Sequence, residues 1–213
     1  MSSKPDDVAP AALFVLAGPS CSGKDTLLQR LLEARPQLAR PVTTTTRPPR
    51  EHEEDGVHYH FVSEAEFRAG VEAGAFLENA RVHDARYGLT RRELERIREQ
   101  GQLPAAILDV QGVATVSEKL PVVSVFIDAP LEQLADRMRT YRPEDEVQAR
   151  LASATRERAC REDFDRVILN PDGELERAVG ELLDYYRQTV RPRLAAYGRS
   201  GDREARPAGR RRR

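Results

Sequence analysis

Apolar and polar positions alternate in blocks along this chain. Residues 11–17 form an apolar run of strand length, and residues 24–34 after it carry leucines at helical spacing, so the chain opens as strand, loop and helix. Residues 103–109, 122–127 and 165–169 read as further buried strands, each with helical pattern beside it. Such alternation implies an α/β fold, a parallel sheet flanked by helices. The last helix is the plainest, since Leu175, Ala178, Val179, Leu182, Leu183 and Tyr186 fall on one face, as core packing requires.

The pattern changes in two places. Between Arg40 and Arg98, a stretch rich in Thr, Pro, Arg and Glu leads into a short strand over residues 58–61 and then a helix opened by the capping pair Ser63 and Glu66. This reads as an insertion into the core over residues 39–98. Between Arg137 and Arg150 the chain is dense in arginine and flanked by helical segments, where a hinged flap over a phosphate site would sit. No internal repeat is visible.

A length of 213 residues suits one core with mobile parts, expected over residues 11–198, with disordered tails at 1–10 and 199–213. Hydrophobic residues make up 39% and charged residues 32%, and no apolar run approaches the roughly 20 residues that span a bilayer, so no membrane role is expected. The first apolar stretch is short and follows Asp6 and Asp7 rather than a basic region, which does not read as a signal peptide. Cys21 and Cys160 lie far apart without metal-ligand spacing, which argues against a disulfide framework or a zinc site and for a reducing cytoplasm. The net charge is −1, and the terminal Arg210 to Arg213 are weak grounds for a nucleic-acid partner. His58 and His60 would share one strand face, but with no third ligand evident a structural or surface role is the expectation.

Chemistry enters with Gly18, Pro19, Ser20, Cys21, Ser22, Gly23 and Lys24, the glycine-x4-glycine-lysine frame of a phosphate loop, or P-loop, set between a strand and a helix. Backbone N–H groups of such a loop converge on phosphate oxygens, the helix N-terminus adds positive potential, and Lys24 can follow charge as it moves between phosphates. Asp25 stands where a Ser or Thr hydroxyl usually ligates magnesium. Its carboxylate is a hard ligand that would bind the ion or one of its waters, or it serves the helix dipole as an acid in the first turn. Thr26 offers a hydroxyl toward the α-phosphate side.

Four threonines, Thr43 to Thr46, precede Arg47, Pro48, Pro49 and Arg50, and Glu53, Gly56 and Tyr59 follow; farther on come Glu78, the Tyr87 and Gly88 pair, and Asp109, Val110, Gln111 and Gly112. Together with the phosphate loop this set resembles the guanylate kinase family, over about residues 13–190. The resemblance implies a P-loop kinase core with an inserted nucleoside monophosphate arm and a lid. It also implies that Arg47, Arg50, Tyr59 and Tyr87 hold the GMP phosphate, that Glu78 and Asp109 accept the guanine N1–H and amine, and that Thr43 contacts the base in place of the usual serine. A dianionic acceptor must be neutralised before it attacks another phosphate, which suits arginines and phenols; carboxylates suit a base with two adjacent donors. Leu89 departs from the family, which usually places Ser or Thr after the Tyr-Gly pair. Thr90, next to it, makes a good helix cap with Glu93.

The resemblance further implies that Arg137, Arg142 and Arg150 are lid arginines over the triphosphate, although the segment is about two residues shorter than the usual lid and has Tyr141 and Pro143 where glycines normally flank the central arginine. With Mg2+ bridging the donor phosphates, the reaction would be in-line transfer of the ATP γ-phosphoryl group to GMP, with Lys24, Arg137 and Arg150 bearing the charge. A monomer or homodimer acting on these small molecules is the expectation. The rival readings are a ribose 1,5-bisphosphate phosphokinase, whose loop similarly carries Lys-Asp, and a guanylate-kinase-like module that binds protein partners without catalysis.

Overall fold

The computed structural model describes residues 12–82 and 84–193. Its elements begin with β1 (Leu13–Ala17), α1 (Lys24–Ala34) and β2 (Leu38–Ala39). There follow β3 (Thr44–Thr45), β4 (His60–Phe61), α2 (Glu64–Glu72), β5 (Phe76–Val82) and β6 (Ala85–Thr90). The remainder is α3 (Arg91–Glu99), β7 (Leu103–Ile107), α4 (Val110–Ser117), β8 (Val122–Asp128), α5 (Leu131–Arg139), α6 (Glu144–Ala159), β9 (Arg166–Leu169) and α7 (Leu175–Tyr185). A π-helical turn, Tyr186–Val190, prolongs α7.

β1 is buried at every position, as a strand covered on both faces must be. Period-2 alternation divides it between two cores: Phe14 and Leu16 pack with the leucines of α1 and with Ala178, Val179 and Leu182 of α7, while Leu13, Val15 and Ala17 pack with Leu77, Leu89, Leu94, Val113 and Val116. The main sheet runs β2-β7-β1-β8-β9 with every pairing parallel, so the loop after β1 opens at its carboxyl edge, where the strand order switches. A second sheet, β4-β3-β6-β5, is mixed, with β3 antiparallel to β6 and parallel to β4. It lies within the stretch where the sequence pattern departs from the core's. A third apolar cluster joins α5 to α6 through Leu134, Met138, Val147 and Ala154, with Cys21 of the phosphate loop packed against it.

Several expectations need adjustment. The strand expected to reach residue 109 stops at Ile107, because Asp109 turns out as the N-cap of α4, its Oδ1 accepting from Gly112 N at 2.6 Å. The strand expected over 58–61 contains only His60 and Phe61; His58 lies in the preceding turn, its Nδ1 accepting from Glu54 N. The flap is mostly helix: only residues 140–143 interrupt α5 and α6, with Pro143 at the N-cap of α6 and Glu144, Asp145 and Glu146 in its first turn. The Ser63 and Glu66 capping box is present. The expectations for residues 1–10 and 199–213, and for the end of the 11–198 unit, fall outside the described residues.

Candidate active site

The phosphate loop leaves β1 through two positions that require glycine. Gly18 has φ +133°, and a Cβ there would stand 2.1 Å from the Ile127 carbonyl oxygen; Gly23 has φ +92°, and a Cβ there would meet Asn170 Nδ2 at 2.3 Å. Cys21 also takes a left-handed conformation, with φ +64°. Lys24 curls over the loop, its Nζ donating to the Gly18 and Pro19 carbonyls at 2.7 and 2.6 Å. Burial lowers its pKa, while the negative partners Glu157 and Asp25 work in the opposite direction. Ser22 Oγ is buried without a hydrogen-bond partner. Asp25 and Thr26 face outward on the first turn of α1, and Asp25 pairs with Arg40 at 3.3 Å.

Asn170, at the end of β9, braces this loop. Its Nδ2 donates to the Ser22 carbonyl at 2.8 Å, and its own N–H donates to the Asp128 carbonyl at 2.7 Å. Arg137 reaches the same place from α5, donating to the carbonyls of Cys21 at 3.1 Å and Asn170 at 2.9 Å and pairing with Asp172. Arg150 of α6 comes within 3.5 Å of Ser20 Oγ. Arg137 and Arg150 thus both meet the phosphate loop, whereas Arg142 pairs with Glu146 at 2.8 Å on the surface.

The second sheet gathers the expected acceptor residues. Arg47 Nη2 donates to both carboxylate oxygens of Glu53, at 2.8 and 2.9 Å, and the Arg47 guanidinium lies 5.5 Å from the Tyr59 ring centre. That pair, with the Tyr87 hydroxyl adding to it, raises Arg47 further above its already high pKa. Arg47 and the Arg50 main-chain N–H hold Glu53 at a pKa of about 2. Tyr59 and Tyr87 meet edge to face with centroids 5.9 Å apart. Arg50 lies exposed at the rim, and Thr43 lines a cleft with Arg40, Glu53, His58 and Tyr59.

Glu78 and Asp109 converge beside the N-terminus of α4: a Cβ on Gly112 would stand 3.1 Å from Asp109 Oδ1 and 3.8 Å from Glu78 Oε2. Burial, aided by the Asp109 charge, raises Glu78 to a pKa of about 7, against a hydrogen bond from Leu89 N and the Lys119 charge. Leu89 itself is in the core, 2% exposed, so an apolar side chain occupies the position of the expected hydroxyl. Thr90 caps α3 by accepting from Glu93 N, while the Glu93 carboxylate turns inward to Val42 N at 2.8 Å.

Three residues were given no role by sequence reasoning. Glu53 lies between the arginines and tyrosines of the quoted motif, and an acid amid that positive charge was a usable signal. The segment Asn170 to Gly173 resembles the ribose 1,5-bisphosphate phosphokinase family in sequence, but neither Asn170 nor Lys119 signals these contacts, because their partners lie 148 and 42 residues away along the chain.

A sequence profile described as guanylate kinase matches residues 11–189. The guanylate kinase of Helicobacter pylori is 38% identical over 189 residues, covering 87% of this chain and 90% of that protein. The guanylate kinase of Rubrobacter xylanophilus is 40% identical over 182 residues, covering 84% and 94%. Among solved structures, guanylate kinase from Anaplasma phagocytophilum superposes with a TM-score of 0.63 at 28% identity, covering 91% of this chain and 95% of that one.

Proposed function

This chain belongs to the guanylate kinase family and on that premise is an ATP-dependent nucleoside monophosphate kinase; we propose that it transfers the ATP γ-phosphoryl group to GMP, giving ADP and GDP, through the residues gathered above. The observation that carries the choice of acceptor is the convergence of Glu78 and Asp109 beside α4, since two adjacent carboxylates suit the N1–H and amine of guanine. A ribose bisphosphate has no base to use them.

The donor phosphates lie along the loop from Gly18 to Lys24 under this proposal, with Thr26 at the α-phosphate side. Lys24 follows the charge that moves to the leaving oxygen, and Arg150 neutralises it from α6. Arg137 acts from behind, holding the Cys21 carbonyl and hence the loop's shape. Arg142 joins from the flap when residues 137–150 close as a lid. Within the arm, residues 39–98, Arg47 and Arg50 with the Tyr59 and Tyr87 hydroxyls grip the GMP phosphate, and Glu53 orients the Arg47 guanidinium while tying down the Arg50 main chain. The acceptor oxygen is already ionised, so no protein base is needed.

Asp25 and Thr26 are the hard oxygens beside the loop that would hold magnesium, Asp25 once it leaves Arg40. No group of three His, Cys, Asp or Glu able to hold a metal occurs among the described residues. When bound, the ion would neutralise the donor phosphates. No helix among the described residues is long and apolar enough to cross a membrane. From the family likeness we propose a place in purine nucleotide metabolism in the cytoplasm.

The test is ADP release with ATP and Mg2+ across GMP, dGMP, AMP, UMP and ribose 1,5-bisphosphate. GMP should support turnover at least roughly 100-fold above AMP, the margin of a site built on base hydrogen bonds. Turnover with ribose 1,5-bisphosphate alone would overturn the reading, and ATP binding without any turnover would point to the protein-binding module.

A further inference from the structure

We propose that Lys119 is the positioning residue of the base site, tying down the irregular main chain of β5 and so fixing where the Glu78 carboxylate stands. The inference deepens the GMP reading and rests on it.

The register of β5 against β6 breaks at the place that matters. Phe76 faces Thr90 and Glu78 faces Leu89, so two steps along β5 match one along β6, and Leu77 is the extra residue of a β-bulge. A bulge disrupts the ladder and re-aims the next side chain. Phe76 and Leu77 are consecutive and both buried, on opposite faces: Phe76 stacks on Phe67 of α2, and Leu77 sits in the core with β1. Glu78, next along, is thereby delivered toward Asp109.

The bulge leaves main-chain oxygens to be satisfied from elsewhere, since a buried carbonyl without a partner costs about as much as a lost hydrogen bond. Lys119 supplies the donor. Its Nζ donates to the Leu77 carbonyl at 2.5 Å and comes within 3.4 Å of the Phe76 carbonyl. Lys119 follows α4, whose other end carries Asp109, so one helix holds the second carboxylate at its start and the brace for the first at its finish. The ammonium also favours the ionised form of Glu78 against burial and the Asp109 charge. The charged and polar groups around Glu78 are therefore Asp109 at the head of α4, Lys119 beyond its end and the Leu89 N–H on β6; Arg91, Glu95 and Arg98 of α3 line the small cavity beside Lys119.

The experiment is calorimetric titration of GMP and of ATP into the full chain and its Lys119→Met, Lys119→Gln and Lys119→Arg variants, over about pH 6–9, with thermal unfolding in parallel. Lys119→Met should weaken GMP binding roughly tenfold with ATP binding unchanged within about twofold, and its GMP affinity should begin to fall at a higher pH than in the parent. Lys119→Arg should restore most of the affinity, and Lys119→Gln should lie between, keeping a donor without the charge. Equal losses of GMP and ATP binding, tracking the fall in melting temperature, would overturn the inference and leave Lys119 a structural residue. GMP binding by Lys119→Met equal to the parent's would overturn it too. A parent chain that binds ATP but not GMP would instead defeat the reading on which the inference rests.

Discussion

Burial and the neighbouring Asp109 carboxylate hold Glu78 at a pKa of about 7, so the group proposed to read guanine changes charge within the working pH range. An ionised acceptor is needed for the N1–H and amine of the base. GMP affinity should therefore weaken as the pH falls from about 8 to about 6 while ATP affinity stays level, which paired titrations would check. The effect on stability has the opposite sign. A raised carboxyl pKa stabilises the fold fully below the unfolded value of 4.5, and that contribution is lost as the pH rises through about 7. Glu78→Gln should accordingly stabilise the fold by roughly 1–3 kcal/mol at pH ~8 in denaturant unfolding, while removing most of the preference for GMP over AMP. Glu53 is the converse case, held at about 2 by Arg47 and the Arg50 amide. Glu53→Gln should leave the KM for ATP unchanged and raise that for GMP roughly tenfold, since the Arg47 guanidinium loses its charged partner and the Arg50 main chain a strong acceptor.

Among the elements, α6 is fixed at one end. Asp128, fully buried at the end of β8, accepts from Ala129 N at 2.9 Å and from Arg158 Nε at 3.0 Å, with Arg161 at 3.6 Å. These arginines lie at and just beyond the carboxyl end of α6, so that end is pinned to the sheet, while Arg150 in the middle of the helix reaches the phosphate loop at Ser20. Removing one partner of such a pair leaves the other uncompensated. Asp128→Ala should cost about 3 kcal/mol in urea unfolding, well above the ~0–1 kcal/mol expected from breaking the surface pair of Arg142 and Glu146.

At the scale of the molecule, the phosphate loop is held by chain far from it. Asn170 of the β9 edge and Arg137 of α5 both grip its carbonyls, and Gly23 leaves the room that Asn170 needs. Asn170→Ala should remove a buried hydrogen bond worth about 1–3 kcal/mol, lowering the melting temperature by several degrees and raising the KM for ATP more than that for GMP. Steady-state kinetics with each substrate varied in turn would check the asymmetry.

Local pattern alone determined a good deal. The apolar run of β1, the leucines of α1, the stripe of α7, the Ser63 cap and the phosphate loop all depend on neighbours within a few residues, and all are found where the pattern puts them. The arginines and tyrosines around Arg47 were legible as a motif. The tertiary structure decided the rest, because burial and charge are set by residues distant along the chain. It split β1 between two cores, ended β7 so that Asp109 could cap α4, and turned Leu89 inward beside Glu78. It set Arg137 behind the phosphate loop, brought Asn170 to Ser22, and placed Lys119 at a bulge that no periodicity announces.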